Sequence, residues 1–129
     1  MKQTILVVDD EADVIRMITL ILEDADYAVI STNRGEDAIR YLASQTVDLV
    51  VTDIIMPDME GIEFIRSVQA SHPALPIVAI SGGGRSHNAD FLRFARGLGA
   101  QATLSKPFRR EELLAAVGKI LAPAGGVPA

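Results

Sequence analysis

Five polar residues of this 129-residue chain directly follow short, mostly apolar runs. Asp9 and Asp10 follow Ile5-Leu6-Val7-Val8, Asp53 follows Leu49-Val50-Val51-Thr52, Ser81 follows Ile77-Val78-Ala79-Ile80, and Lys106 follows Ala102-Thr103-Leu104-Ser105. Three carboxylates gathered in one place repel one another, and a cation must neutralise them if all are to stay ionised. Magnesium, or manganese, fits that need, because such hard ions take oxygen ligands, and magnesium keeps several waters and favours a partner phosphate. A hydroxyl and an ammonium facing the same seat supply a donor and a countercharge for phosphoryl oxygens, the clamp that phosphoryl transfer requires. One of the carboxylates can then be the nucleophile and form an aspartyl phosphate. Each residue alone has an ordinary explanation, since an Asp after a strand caps a helix and a Ser there makes a turn. Together they complete the set for one reaction.

Such residues meet only if the runs before them are neighbouring parallel strands, whose carboxyl-end loops converge where strand order reverses. The pattern predicts strands at Thr4–Val8, Tyr27–Ser31, Leu49–Thr52, Ile77–Ile80 and Ala102–Ser105. Apolar residues recur at helical spacing through Val14, Ile15, Ile18, Ile21 and Leu22, around Ala38–Leu42 and over Ile62–Val68. Further helices are expected over Asn88–Arg96 and Glu111–Leu121. In the last of these, Glu111 and Glu112 in the first turn and Lys119 near the end match the helix dipole. Gly35, Gly61, Gly97 and Gly99 punctuate element ends. The alternation defines an α/β class with a parallel sheet, and the near-continuous apolar character of the first, third and fourth strands requires helices on both faces.

The length suits one domain with a sizeable core, and 49% hydrophobic with 22% charged residues is ordinary for a globular protein. The absence of cysteine excludes a disulfide framework, a thiolate metal site and a cysteine nucleophile, and a cytoplasmic location is the expectation. The N-terminal apolar run is too short for a signal peptide, and no run approaches the roughly 18 apolar residues of a membrane helix. A net charge of −5 argues against sequence-independent nucleic-acid binding. Charge is uneven, however: residues 1–84 carry 5 basic and 14 acidic side chains, residues 85–129 carry 7 and 3. Arg85, Arg93, Arg96, Arg109 and Arg110 fall around the last two helices and suit an acidic partner. His72 and His87 have no partner at ligand spacing and read as surface or loop residues. Residues 123–129, made of small residues, Gly and Pro, read as a disordered tail that leaves 1–122 as the folded domain, with no output domain expected to follow.

Asp9-Asp10 after an apolar strand, Asp53-Ile54-Ile55-Met56-Pro57 with Gly61 following, Ser81 after the fourth strand and Lys106-Pro107-Phe108 together resemble the receiver domain of response regulators. The resemblance runs from about Lys2 to Leu121. It implies a doubly wound, flavodoxin-like (βα)5 sandwich with a five-stranded parallel sheet in the order 2-1-3-4-5. It implies further that Asp53 takes a phosphoryl group from the phosphohistidine of a sensor histidine kinase or histidine phosphotransfer protein. Asp9, Asp10, Asp53 and the backbone carbonyl of Ile55 would hold magnesium. Ser81 and Lys106 would contact the phosphoryl group, and the Lys106–Pro107 bond would be cis. Such a chain is a signalling module rather than an enzyme, catalysing only its own phosphorylation and dephosphorylation, and is expected here to stand alone and bind a downstream protein effector.

Three features depart from the family pattern. Thr103 stands where an aromatic residue often couples phosphorylation to the output face. Gly82–Gly84 make the connection after Ser81 pliable, as a loop that closes over the phosphoryl group would need to be. Ile55 and Gly83 replace polar side chains that help position the attacking water, so a long-lived aspartyl phosphate is expected. Two other readings remain: a relay intermediate that passes the group to a histidine phosphotransfer protein, and a small phosphatase of the haloacid dehalogenase type. The phosphatase needs a second Asp two residues after its nucleophile, where Ile55 stands. A flavin carrier on the same fold is disfavoured by 5% aromatic residues and no Trp.

Overall fold

The computed structural model describes residues 2–54, 61–81, 93, 96–97 and 99–121. Along the chain run β1 (Thr4–Val8), α1 (Ala12–Asp24), β2 (Ala28–Thr32), α2 (Gly35–Ser44), β3 (Leu49–Asp53), α3 (Gly61–Ser71), β4 (Ile77–Ser81), β5 (Ala102–Ser105) and α4 (Arg110–Ile120). The strands form one parallel sheet in the order β2-β1-β3-β4-β5, as expected. The helix expected over Asn88–Arg96 lies largely outside the described residues, as do Ile55, Gly82–Gly84, His87 and the tail; Arg93 and Arg96 are helical.

Side chains alternate across a strand, so each central strand feeds two cores. Ile5, Val7, Leu49, Val51, Val78 and Ile80 point to one face, where Ile18 and Leu22 of α1 and Leu113 and Val117 of α4 cover them. Leu6, Val8, Val50, Ile77 and Ala79 point to the other, under Ala38 and Leu42 of α2 and Phe64, Ile65 and Val68 of α3. β3 and β4 are buried along their whole length, which is why they read as unbroken apolar runs. Burying each large aliphatic side chain is worth about 1.5–3 kcal/mol. Truncating Ile18 or Leu22 to Ala would strip the α1 face of one of its two fully buried residues.

The ends of the elements follow local chemistry. β2 starts one residue later than the apolar pattern predicts, because Tyr27 still belongs to the exit from α1. Its amide donates to the Leu22 carbonyl at 3.0 Å, and Asp26 before it takes φ 76°, turning the chain. At the start of α4 the Arg109 amide donates to Glu112 Oε1 at 2.7 Å, satisfying a free N–H. Gly99, before β5, has φ 114° and lies against the Gln69 side chain, whose Nε2 donates to the Gly99 carbonyl at 3.3 Å. A Cβ at Gly99 would come within 2.7 Å of Gln69 Nε2, a contact that the flexible Gln69 side chain can relieve by moving, so the positive φ is what favours glycine there.

Candidate functional site

Register brings the strand ends together. Val8 pairs with Thr52 across β1 and β3, Asp53 with Ile80 across β3 and β4, and Ser81 with Ser105 across β4 and β5. Asp9 and Lys106 each lie one residue beyond those pairs. The Lys106 amide donates to the Ser81 carbonyl at 2.8 Å, fixing the exit of β5 beside that of β4. Asp9, Asp53 and Lys106 also continue by two residues the alternation of Val7, Val51 and Leu104, which face α1 and α4. Three chemical groups from three strands therefore meet over one face. The Lys106–Pro107 bond is cis.

Their meeting point is the ammonium of Lys106. Its Nζ lies 3.1 Å from Asp53 Oδ2, 3.1 Å from Asp9 Oδ2 and 3.0 Å from Glu11 Oε1. Asp9 and Asp53 are buried, at 1% and 5% exposure, and Ser81 is buried at 1%. The contact with Asp9 is an ion pair without hydrogen-bond alignment, and Asp9 Oδ2 is a buried oxygen with no hydrogen-bond donor among the described residues. The other oxygen, Oδ1, accepts the Glu11 amide at 2.9 Å. Burial pushes the Asp9 carboxyl above its ordinary value, and the charge of Asp53 adds to the rise, against the pull of the Glu11 amide and Lys106. Burial would lower Lys106, but the hydrogen bond to Glu11 and the charges of Asp53 and Asp9 outweigh it and hold the lysine above its usual range. The ammonium therefore stays protonated at neutral pH.

One lysine does not neutralise four neighbouring acids. Asp9, Asp10 and Asp53 can each offer an oxygen, all within 4.8 Å of one another. A buried carboxylate oxygen without a donor, beside two more carboxylates, is the surrounding in which a hard divalent cation lowers the energy. The donor set is all oxygen, as magnesium requires, and Asp10 is exposed, leaving solvent access for the waters that this ion retains. Of the residues singled out from sequence, Asp9, Asp10, Asp53 and Lys106 are thus brought together, and Ser81 is buried at the end of the neighbouring strand. Glu11 was missed. An acid directly after Asp9-Asp10 reads as part of a helix start, and Glu11 does occupy the N-cap of α1, but without a side-chain cap hydrogen bond.

Other sequence expectations resolve differently. Arg110 is paired with Asp24 at 2.6 Å and so is less available to a partner than an unpaired arginine. His72 directly follows α3, with Ser71 Oγ 3.0 Å from its Nδ1. Thr103 sits mid-strand in β5, partly buried, opposite Ala79.

A five-stranded parallel sheet in this order, with acids at the ends of two central strands and a lysine at the end of an edge strand, is the arrangement that the receiver-domain resemblance implies. The family model of the response regulator receiver domain matches residues 5–118, and the chain belongs to that family. Among curated relatives, the response regulator GtcR of Aneurinibacillus migulanus is 34% identical over 117 residues, covering 91% of this chain and 47% of that protein. The transcriptional regulatory protein CssR of Bacillus subtilis is 34% identical over 122 residues, covering 94% of this chain and 52% of that protein. The chain spans about half the length of the curated relatives it matches. Among solved structures, the chemotaxis response regulator CheY4 of Vibrio cholerae superposes with a TM-score of 0.83 at 28% identity, covering 94% of this chain and all (100%) of that one. A CheY-like receiver domain protein from Methanospirillum hungatei gives 0.85 at 26% identity, covering 94% of both chains. As a receiver domain, the chain is a signalling module of two-component systems.

Proposed function

We propose that Asp53 is the phosphoacceptor, taking a phosphoryl group from the phosphohistidine of a sensor histidine kinase or histidine phosphotransfer protein. The observation that carries this is the approach of Lys106 Nζ to Asp53 Oδ2 at 3.1 Å, with Asp9 against the same ammonium. A carboxylate oxygen of Asp53 attacks phosphorus, the P–N bond to the donor imidazole breaks, and the electron pair leaves with the imidazole nitrogen. Lys106 holds the Asp53 oxygen in place before transfer and pairs with a phosphoryl oxygen after it. Ser81, ending the adjacent strand, donates its hydroxyl to another. Asp9, Asp10 and Asp53 would hold magnesium, with the Ile55 carbonyl, outside the described residues, as a further ligand; the bound ion supplies charge neutralisation as negative charge gathers on the phosphoryl oxygens.

The acyl phosphate changes the charge at one end of the sheet, and partner binding responds. The relay reading uses the same atoms in reverse, with a second histidine taking the group from Asp53. The same acceptor chemistry serves a chain acting alone or a receiver within a longer regulator such as its curated relatives. The test is intact-mass analysis after incubation with acetyl phosphate and magnesium. One phosphoryl adduct is expected for the parent chain and none for Asp53→Asn. No adduct on the parent, or an adduct surviving the substitution, overturns the assignment.

A further inference from the structure

Lys106 must exchange one of its contacts when a phosphoryl group arrives. An ammonium has three donors, and here three carboxylates, Asp9, Glu11 and Asp53, lie within 3.0–3.1 Å of it. The three are not equally easy to give up. Asp9 and Asp53 have side chains exposed by 1% and 7%, so parting either from the lysine leaves a buried charge less compensated. Glu11 has a side chain exposed by 60% and water to replace the ammonium. It also stands at the N-cap of α1 with no side-chain cap bond to lose or to hold it elsewhere. Its backbone amide meanwhile binds Asp9 Oδ1 at 2.9 Å, so the residue is anchored to the site through its main chain while its carboxylate stays exchangeable.

The geometry points to Glu11 as a positioning residue that acts through Lys106: its carboxylate holds the ammonium before phosphorylation and is displaced by the phosphoryl oxygen, so that it competes with the phosphoryl group. This rests on the assignment of Asp53 as acceptor. Removing the competing charge while keeping the shape, with Glu11→Gln, should therefore strengthen binding of a phosphoryl mimic. An exposed ion pair of this kind is worth enough to shift the affinity roughly two- to fivefold.

The experiment titrates beryllofluoride into the chain at saturating magnesium, read by fluorine NMR of the bound species. Glu11→Gln should bind about two- to fivefold more tightly than the parent. The gain should vanish in a Lys106→Met background, where no ammonium is left to compete for. If Lys106→Met does not fold, Glu11→Asp takes its place, since the shorter carboxylate keeps the charge but retracts from Nζ and should bind the mimic more tightly than the parent. Equal or weaker binding by Glu11→Gln, the same gain without Lys106, or parent-like binding by Glu11→Asp overturns the role of Glu11 alone. A parent chain that binds no beryllofluoride overturns the phosphoacceptor assignment beneath it.

Discussion

At Asp9 the proposed role of holding a cation is set against stability. Its carboxyl is 1% exposed, one oxygen has no hydrogen-bond donor among the described residues, and burial raises it above the ordinary value of 3.8. A folded-state value above the unfolded one means that the fold favours the protonated form. That contribution is complete below 3.8 and is lost as pH rises through the raised value. Without a metal, the ionised form of Asp9 therefore costs stability. Asp9→Asn should unfold at higher denaturant than the parent at pH 7 in chelator, by on the order of 1 kcal/mol, the scale of one poorly compensated buried polar group. The advantage should shrink towards zero as pH falls below 3.8, and equal midpoints at pH 7 would contradict it. A second expectation concerns lifetime: Ile55 and Gly83 offer no polar side chain to orient a water, so the aspartyl phosphate should persist well beyond seconds in a timed phosphate-release assay.

Elements carry these residues to the site with different degrees of legibility. The strands were readable because burial on both faces demands apolar, β-branched runs, and Asp9, Asp53, Ser81 and Lys106 could be placed by where those runs stop. The start of β2 was misplaced by one residue because the turn at Asp26 is made by main-chain geometry that no apolar pattern encodes. Glu11 was not readable at all, since its partner Lys106 lies 95 residues away and their pairing exists only once β1 and β5 share a sheet. The same dependence on main chain applies to Gly99, where φ is 114°. Gly99→Ala should lower stability by about 1–3 kcal/mol in a denaturant melt, and an unchanged midpoint would show that the turn relaxes freely. On α1, Met17 and Leu20 are 40% and 62% exposed, and Met17 borders an apolar recess of about 270 Å³ with Val14, Pro107, Phe108 and Lys106. On the proposed phosphoacceptor reading, a phosphodonor protein reaching Asp53 would meet this rim, because Lys106 both lines it and lies 3.1 Å from Asp53 Oδ2, whereas acetyl phosphate would not need it. Met17→Glu should slow transfer from a phosphorylated kinase at least tenfold, the effect of about 1.4 kcal/mol, while leaving labelling by acetyl phosphate within twofold. Equal slowing of both donors would place Met17 in the chemistry instead.

At the scale of the whole molecule, the net charge of −5 is concentrated where the fold puts its work: residues 1–84 carry all three carboxylates of the candidate metal cluster, and Lys106 comes from the more basic remainder. The cluster exists only in the folded chain, because Asp9 and Asp10 follow β1 while Asp53 ends β3, and pairing of those strands brings them together. A cation that needs all three therefore binds the folded state in preference to the unfolded one, and must stabilise the entire domain by mass action. At ten times its dissociation constant, magnesium should add about 1.4 kcal/mol to the unfolding free energy. The gain should grow logarithmically with concentration above that point. Asp53→Asn and Asp9→Asn should each reduce it, and Asp10→Asn should do so without the rise in metal-free stability expected of Asp9→Asn, since Asp10 is exposed. The measurement is a series of denaturant melts at pH 7 across magnesium concentrations, with sodium replacing magnesium at matched ionic strength to remove simple screening. A stability that follows ionic strength alone would show that the carboxylates are neutralised by Lys106 and solvent, and that folding is not linked to a divalent ion.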